Sequence, residues 1–239
     1  MQKFIEQFTF DFIEKERWRF ITEGLKITIL VSVLAVIFGI LIGVVIAIIR
    51  CAHDQQDKAR TPGWARFLLG LGNLLCRVYV TIIRGTPAMV QLLIMYFIIL
   101  VSSDSKVVVA VVTFALNSGA YVSEIFRGGI MAVDKGQMEA GRSLGLGYVQ
   151  TMVYIILPQA FKSVMPALAN ELITLLKETS ICGYIGLNEL TRGGDIIRGN
   201  TFDALLPLFA VAIIYLTLVL GLSAIFNRME RKLRISDNR

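Results

Sequence analysis

The stretch LKITILVSVLAVIFGILIGVVIAII, Leu25–Ile49, is apolar apart from Lys26, Thr28 and Ser32, with Gly39 and Gly43 as a small-residue pair. About 20 apolar residues cross a hydrocarbon core of about 30 Å as a helix, so this run is read as a membrane span. Further runs extend from Phe67 to Val101, from Val107 to Ile130, from Ala167 to Ile185 and from Leu205 to Phe226. Hydrophobic residues make up 55% of the chain and mean hydropathy is +0.67, a balance a soluble domain could not cover with polar surface. The reading is an all-α polytopic membrane protein with five crossings. As one straight helix Phe67–Val101 would reach about 50 Å, so a bend is expected at Pro87, where the ring removes a backbone donor.

Loop charge gives the orientation. With the carboxyl end in the cytosol, that side receives Arg50, Lys58, Arg60, Arg66, Arg127, Lys135, Arg142, Lys162 and the basic residues from Arg228 to Arg239. The other side receives fewer, so the expectation is amino end outside and carboxyl end inside. The formal charge of +6 then reflects loops facing anionic lipid rather than nucleic acid. Residues 1–22 alternate charges with Phe4, Phe8, Phe10, Phe12, Trp18 and Phe20. They lack the apolar core of a signal peptide and read as an amphipathic extracytoplasmic segment at the membrane interface, or else as a loose tail. Residues 23–228 form the membrane domain and 229–239 a basic cytoplasmic tail.

Cys51, Cys76 and Cys182 are widely spaced and His53 is the single histidine, so no zinc set, disulfide framework or Cys/His nucleophile is expected. No G-x4-G-K-[ST] loop is present, so any ATP chemistry falls to a partner. Polar groups at membrane depth are costly and mark pathways. Counted from Ala167, Glu178 lies about 16 Å along its helix, and Asn117 reaches a similar depth counted from Val107. Thr86 and Gln91 flank the expected bend, and Glu171 lies seven residues before Glu178, on nearly the same face, with Lys177 as a countercharge. Thr86, Gln91, Asn117, Glu171 and Glu178 are therefore candidate contacts for a zwitterionic solute, or helix-to-helix glue.

A polar loop over residues 131–162 carries E-A-G-x3-G-x9-I-x-L-P, from Glu139 to Pro158. Glu139, Ala140, Ser143 and Leu144 can start a short helix whose small Ala140 and Gly141 admit another protein's backbone. Gly145 and Gly147 are expected to end it, and Pro158 and Pro166 to punctuate the return to the bilayer. This loop resembles the cytoplasmic EAA loop of bacterial ABC importer permeases. Together with Gly24-Leu25-x2-Thr28, Arg84-Gly85-Thr86-Pro87-x3-Gln91, Ser123-Glu124-x2-Arg127-Gly128-Gly129-Ile130 and Asn170-Glu171 through Lys177-Glu178-Thr179-Ser180, it resembles the polar amino acid permeases of type I ABC importers, the histidine/glutamine/arginine group. Two departures are Gly141 for the usual second alanine and Glu178 where aspartate is common.

The resemblance implies a dimerising five-helix permease in a bacterial cell membrane that binds no cofactor itself. It also implies two partner ATPases carrying ATP and Mg, docked on Glu139, Ala140, Gly141, Ser143, Leu144 and Gly145. A second permease, identical or homologous, an extracytoplasmic binding protein and a polar amino acid complete the set. The rival reading is an ion- or proton-coupled carrier using Lys177 and Glu178, although the chain shows no repeated halves. An intramembrane enzyme would need a nucleophile, metal or paired-Asp signature that the sequence lacks.

Overall fold

A computed structural model of the chain describes residues 2–54 and 62–235, residues 232–235 by backbone alone. Lys58 and Arg60 lie outside the described residues, as do the side chains of Lys232, Arg234 and Arg239. Among the described residues the secondary structure is entirely helical: α1 Gln2–Phe8, α2 Trp18–Asp54, α3 Gly63–Gly85, α4 Ala88–Ile94, α5 Lys106–Met131, α6 Lys135–Ser143, α7 Tyr148–Thr151, α8 Leu157–Glu178, α9 Leu190–Thr201 and α10 Leu205–Ile235. Five stretches are long and apolar enough to cross a membrane: Trp18–Asp54, Gly63–Gly85, Lys106–Met131, Tyr148–Ile185 and Leu205–Arg231.

Their boundaries differ from the apolar runs in instructive ways. The first span begins at Trp18 rather than Leu25, because amphipathic turns at either end extend a helix beyond its lipid-soluble middle. Between α3 and α4 the helix stops outright, with Thr86 extended (φ −122°, ψ 146°) before Pro87, as steric conflict with the proline ring demands. The fourth stretch starts at Tyr148, well before Ala167, so a depth for Glu178 counted from Ala167 has no helix end behind it. Pro166 falls inside α8 and does not punctuate it, whereas Pro158 lies in the first turn of α8, where the helical pattern changes. A π turn, Met152–Ile156, closes with Leu157 N–H donating to the Met152 carbonyl, directly ahead of Pro158, which has no N–H to continue the α ladder. The expected tail from residue 229 continues α10 through Ile235.

The chain folds as two compact units. One comprises the chain up to Val36 with Ala88–Phe114 and Leu172–Ile225; the other comprises Ile37–Pro87, Ala115–Glu171 and the residues from Phe226 onward. In the first unit, Val31, Ala35, Leu92, Phe114, Leu175 and Cys182 form one buried cluster, and Phe12, Ile21, Leu190, Ile197 and Val211 form another. Phe12 sits in that second cluster and Asp11 is buried beside it, so the turn Thr9–Ile13 packs on α9, while α1 ahead of it has no buried residue. In the second unit, Ile46, Cys76, Val80 and Ala120 form the core. There the Gly39/Gly43 pair is a helix contact. A Cβ on Gly39 would lie 2.8 Å from Ser118 Oγ, and one on Gly43 would lie 2.5 Å from Val122 Cγ1, so only glycine admits α5 this close.

Candidate functional site: the polar loop and the polar residues of the helices

The loop helix α6 begins earlier than its E-A-G motif implies. Asp134 caps it, its carboxylate accepting from Gly136 N–H at 2.6 Å. Aspartate three residues before Gln137 is a start signal legible in the sequence. The helix ends as expected at Gly145, whose φ of +86° is the left-handed turn that glycine accepts most easily. Gly147 does not end it; it is instead the N-cap of α7, its N–H held by the Gln150 side chain at 2.9 Å.

Ala140 and Gly141 face different surroundings. Ala140 is exposed, whereas Gly141 is buried, and a Cβ on it would lie 2.5 Å from Thr151 Cγ2 and 3.0 Å from Ile155 Cδ1. The small residue thus admits this chain's own following segment, not another protein's backbone. With that side closed, Glu139, Ala140, Ser143 and Leu144 face outward, and Leu144 is 81% exposed. Beside them a cleft of about 370 Å³ is lined by Ile130, Met131, Lys135, Met138, Glu139 and Met152, among others. An outward helix bearing an unprotected leucine next to an apolar cleft has the chemistry of a protein-docking surface.

Behind the loop, within the same unit, Glu124 of α5 is held by two guanidiniums. Arg127 donates to its Oε2 at 2.9 Å and 3.2 Å, and Arg50 of α2 donates to Oε1. The R-G-T-P element opens with Arg84, whose guanidinium stacks over Tyr121 at 5.2 Å from the ring centre.

The five candidate solute contacts divide between the units. Gln91 (α4, buried) and Glu178 (last residue of α8, half-buried) belong to the first; Thr86, Asn117 and Glu171 belong to the second. Asn117 is 4% exposed, while Thr86 is exposed and its hydroxyl donates to the Ile82 carbonyl at 2.8 Å. Lys177 is exposed.

Sequence reasoning missed a polar centre in the first unit. Glu189 is 1% exposed and accepts from Thr191 N–H and Arg192 N–H, each at 2.7 Å, and from the Tyr215 hydroxyl at 3.2 Å. Burial pushes its carboxyl above the ordinary range, opposed by the two N–H groups. Thr28 completes the centre by accepting from Leu190 N–H at 3.2 Å, and a Cβ on Gly24 would lie 2.6 Å from the Glu189 carbonyl oxygen. The G-L-x2-T motif is thus the seat on which the start of α9 rests. Its signal was present in the motif, but its partner lies more than 160 residues away.

Five apolar spans, a polar loop with one outward helix and polar residues buried on spanning helices define a multi-pass transport permease. The chain belongs to the family of binding-protein-dependent transport system inner membrane components, whose model matches residues 63–235. It is 38% identical over 219 residues to the glutamine transport system permease protein GlnP of Escherichia coli strain K12, covering 90% of this chain and 93% of that protein. It is 42% identical over 185 residues to the arginine transport system permease protein ArtQ of Bacillus subtilis strain 168, covering 71% and 84% respectively. Among solved structures, an amino acid ABC transporter with histidines superposes with a TM-score of 0.79 at 37% identity, over 90% of this chain and 94% of that one. The inward-facing methionine ABC transporter MetNI shares the fold, with a TM-score of 0.75 at 19% identity over 92% and 98%.

Proposed function

We propose that this permease forms the pathway of an ATP-driven importer for a polar amino acid. Family membership and the glutamine and arginine permeases among its relatives support that solute class, and those relatives lend no support to an ion-coupled carrier. In this reading the chain pairs with a second permease, identical or homologous. Two ATPase subunits bind ATP and Mg, this chain holds no cofactor of its own, and an extracytoplasmic binding protein delivers the solute. The amino end lies outside and the carboxyl end in the cytosol, as the loop charges favour. The observation that carries the reading is the outward face of α6 with Leu144 at its tip. Work enters as ATPase closure pushes on this helix, and Gly141, packed on Thr151 and Ile155, passes the push into the segment leading to α8. By chemistry, a carboxylate such as Glu178 or Glu171 suits a solute ammonium, and the amides of Asn117 and Gln91 and the hydroxyl of Thr86 suit a solute carboxylate.

The test is Leu144→Asp and Glu139→Lys in the reconstituted complex. Both side chains are exposed, so insertion and folding persist while uptake and substrate-stimulated ATP hydrolysis fall together. Normal uptake with either variant would count against docking at this helix. Gly145→Trp is a blunter probe, because it also strains the left-handed turn.

A further inference from the structure

The amino-terminal segment carries an apolar face that no described residue of its own unit covers. On a helical wheel, Phe4, Ile5 and Phe8 of α1 fall within an arc of about 100°, while Gln2, Lys3, Glu6 and Gln7 occupy the opposite side. The three apolar side chains are 60%, 57% and 45% exposed. The segment is nonetheless fixed in place. Phe12 is buried against Ile21, Leu190, Ile197 and Val211. Buried Arg17 donates to the Phe10 carbonyl and lies 5.0 Å over the Phe10 ring. Buried Asp11 faces the side chains of Thr201 and Asp203, the two residues that bracket Phe202. Phe202 ends α9 at φ +58°, a left-handed backbone that is sterically costly for a bulky residue, and its aromatic ring is 94% exposed.

We propose that α1 and Phe202 together form an in-plane anchor whose aromatic face lies in the interfacial layer of the bilayer, at the leaflet where the Trp18–Asp54 span begins. The occupant follows from continuity. The packed segment runs directly into Trp18, itself 44% exposed at the start of a membrane span, and the apolar exposure continues along α2 through Ile29, Leu30 and Val33. Aromatic rings opposite a charged face are the side chains that the headgroup region accepts, and Lys3 and Glu6 remain available to water there. The anchor would hold α9, and through Glu189 the start of that helix, at a fixed depth.

The test places the photoreactive residue p-benzoylphenylalanine at Phe8, at Phe202 and, as a control on the charged face, at Glu6. The intact complex is irradiated in phospholipid nanodiscs with the binding protein present, and the peptides are weighed. Phospholipid adducts several-fold more abundant at positions 8 and 202 than at position 6 are expected. Equal lipid labelling at all three positions, or adducts of positions 8 and 202 to the binding protein or to another subunit, would overturn the assignment. All three positions are exposed, so the substitutions leave folding intact.

Discussion

Glu124 and Glu189 are both carboxylates withdrawn from water, yet they are neutralised in opposite ways. Glu124 has 20% of its side chain exposed and is balanced by whole charges, the guanidiniums of Arg50 and Arg127. Among the described residues Glu189 meets no guanidinium; its oxygens are shared among two backbone N–H groups at the start of α9 and the Tyr215 hydroxyl. The first is a charge cluster between two spanning helices. The second is a helix cap drawn into a core, stabilised by dipoles and hydrogen bonds. A carboxylate held by neutral donors needs acceptor atoms in the right places more than it needs charge, whereas one held by arginines needs the charge itself.

That contrast can be broken by substitution. The largest effect is expected for Glu124→Ala, which leaves two partly buried guanidiniums unmatched and costs about 3–5 kcal/mol, read as thermal unfolding of the purified permease. Glu124→Gln should recover little of this loss, since an amide does not neutralise an arginine. Glu189→Ala should cost about 2–3 kcal/mol by stranding the cap donors and the phenol, while Glu189→Gln should cost under about 1 kcal/mol because an amide oxygen still accepts. If glutamine rescues both positions equally, the distinction between charge and geometry is wrong. Tyr215→Phe removes one donor to Glu189 and should cost about 0.5–1.5 kcal/mol, less than either alanine variant.

The smallest effect is a pH dependence carried by α9. Asp195 is held below the ordinary carboxylate range, chiefly by its hydrogen bond to Arg198, with Arg192 adding to it. Its contribution is present above its unfolded value and is lost as pH falls through the folded one. Glu189, raised by burial, has the opposite sign: its contribution is present below its unfolded value and is lost as pH rises through the folded one. The acid-side fall in melting temperature below about pH 4 should therefore flatten in Asp195→Asn, and the fall above about pH 4.5 should flatten in Glu189→Gln. With the Asp195 side chain 33% exposed, its share is that of a surface pair, at most about 1 kcal/mol and weakened by salt.

Much of this molecule was legible residue by residue. Leu25–Ile49 and the later apolar runs announced the five crossings because hydropathy over some twenty residues is a local property. Gly145 announced its own turn. Helix α9 was not legible: Gly193, Gly194 and Gly199 depress its propensity, and it forms because Glu189 caps it and because Gly193 lets Phe20 approach, a Cβ there lying 2.4 Å from the Phe20 carbonyl oxygen. Gly147 was misjudged as a stop because a glycine before a helix and one after it look alike until the Gln150 contact is known. Of the candidate solute contacts, the sequence supplied the polar side chains on apolar helices, while burial of Asn117 and Gln91 and exposure of Thr86 depended on which neighbours the helices met.

The sequence by itself determined that the chain lives in a bilayer, how many times it crosses and where the polar loop with its E-A-G helix falls. Those outcomes follow from the solvent, since lipid requires each crossing segment to satisfy its own backbone and hide its own polarity. Only the tertiary structure decided that Gly141 turns inward while Leu144 turns out, that Glu124 and Glu189 are quieted by different means, and that Thr9–Ile13 is packed against α9. Each of these depends on groups distant along the chain meeting within a few ångströms, a matter of packing that no local pattern encodes.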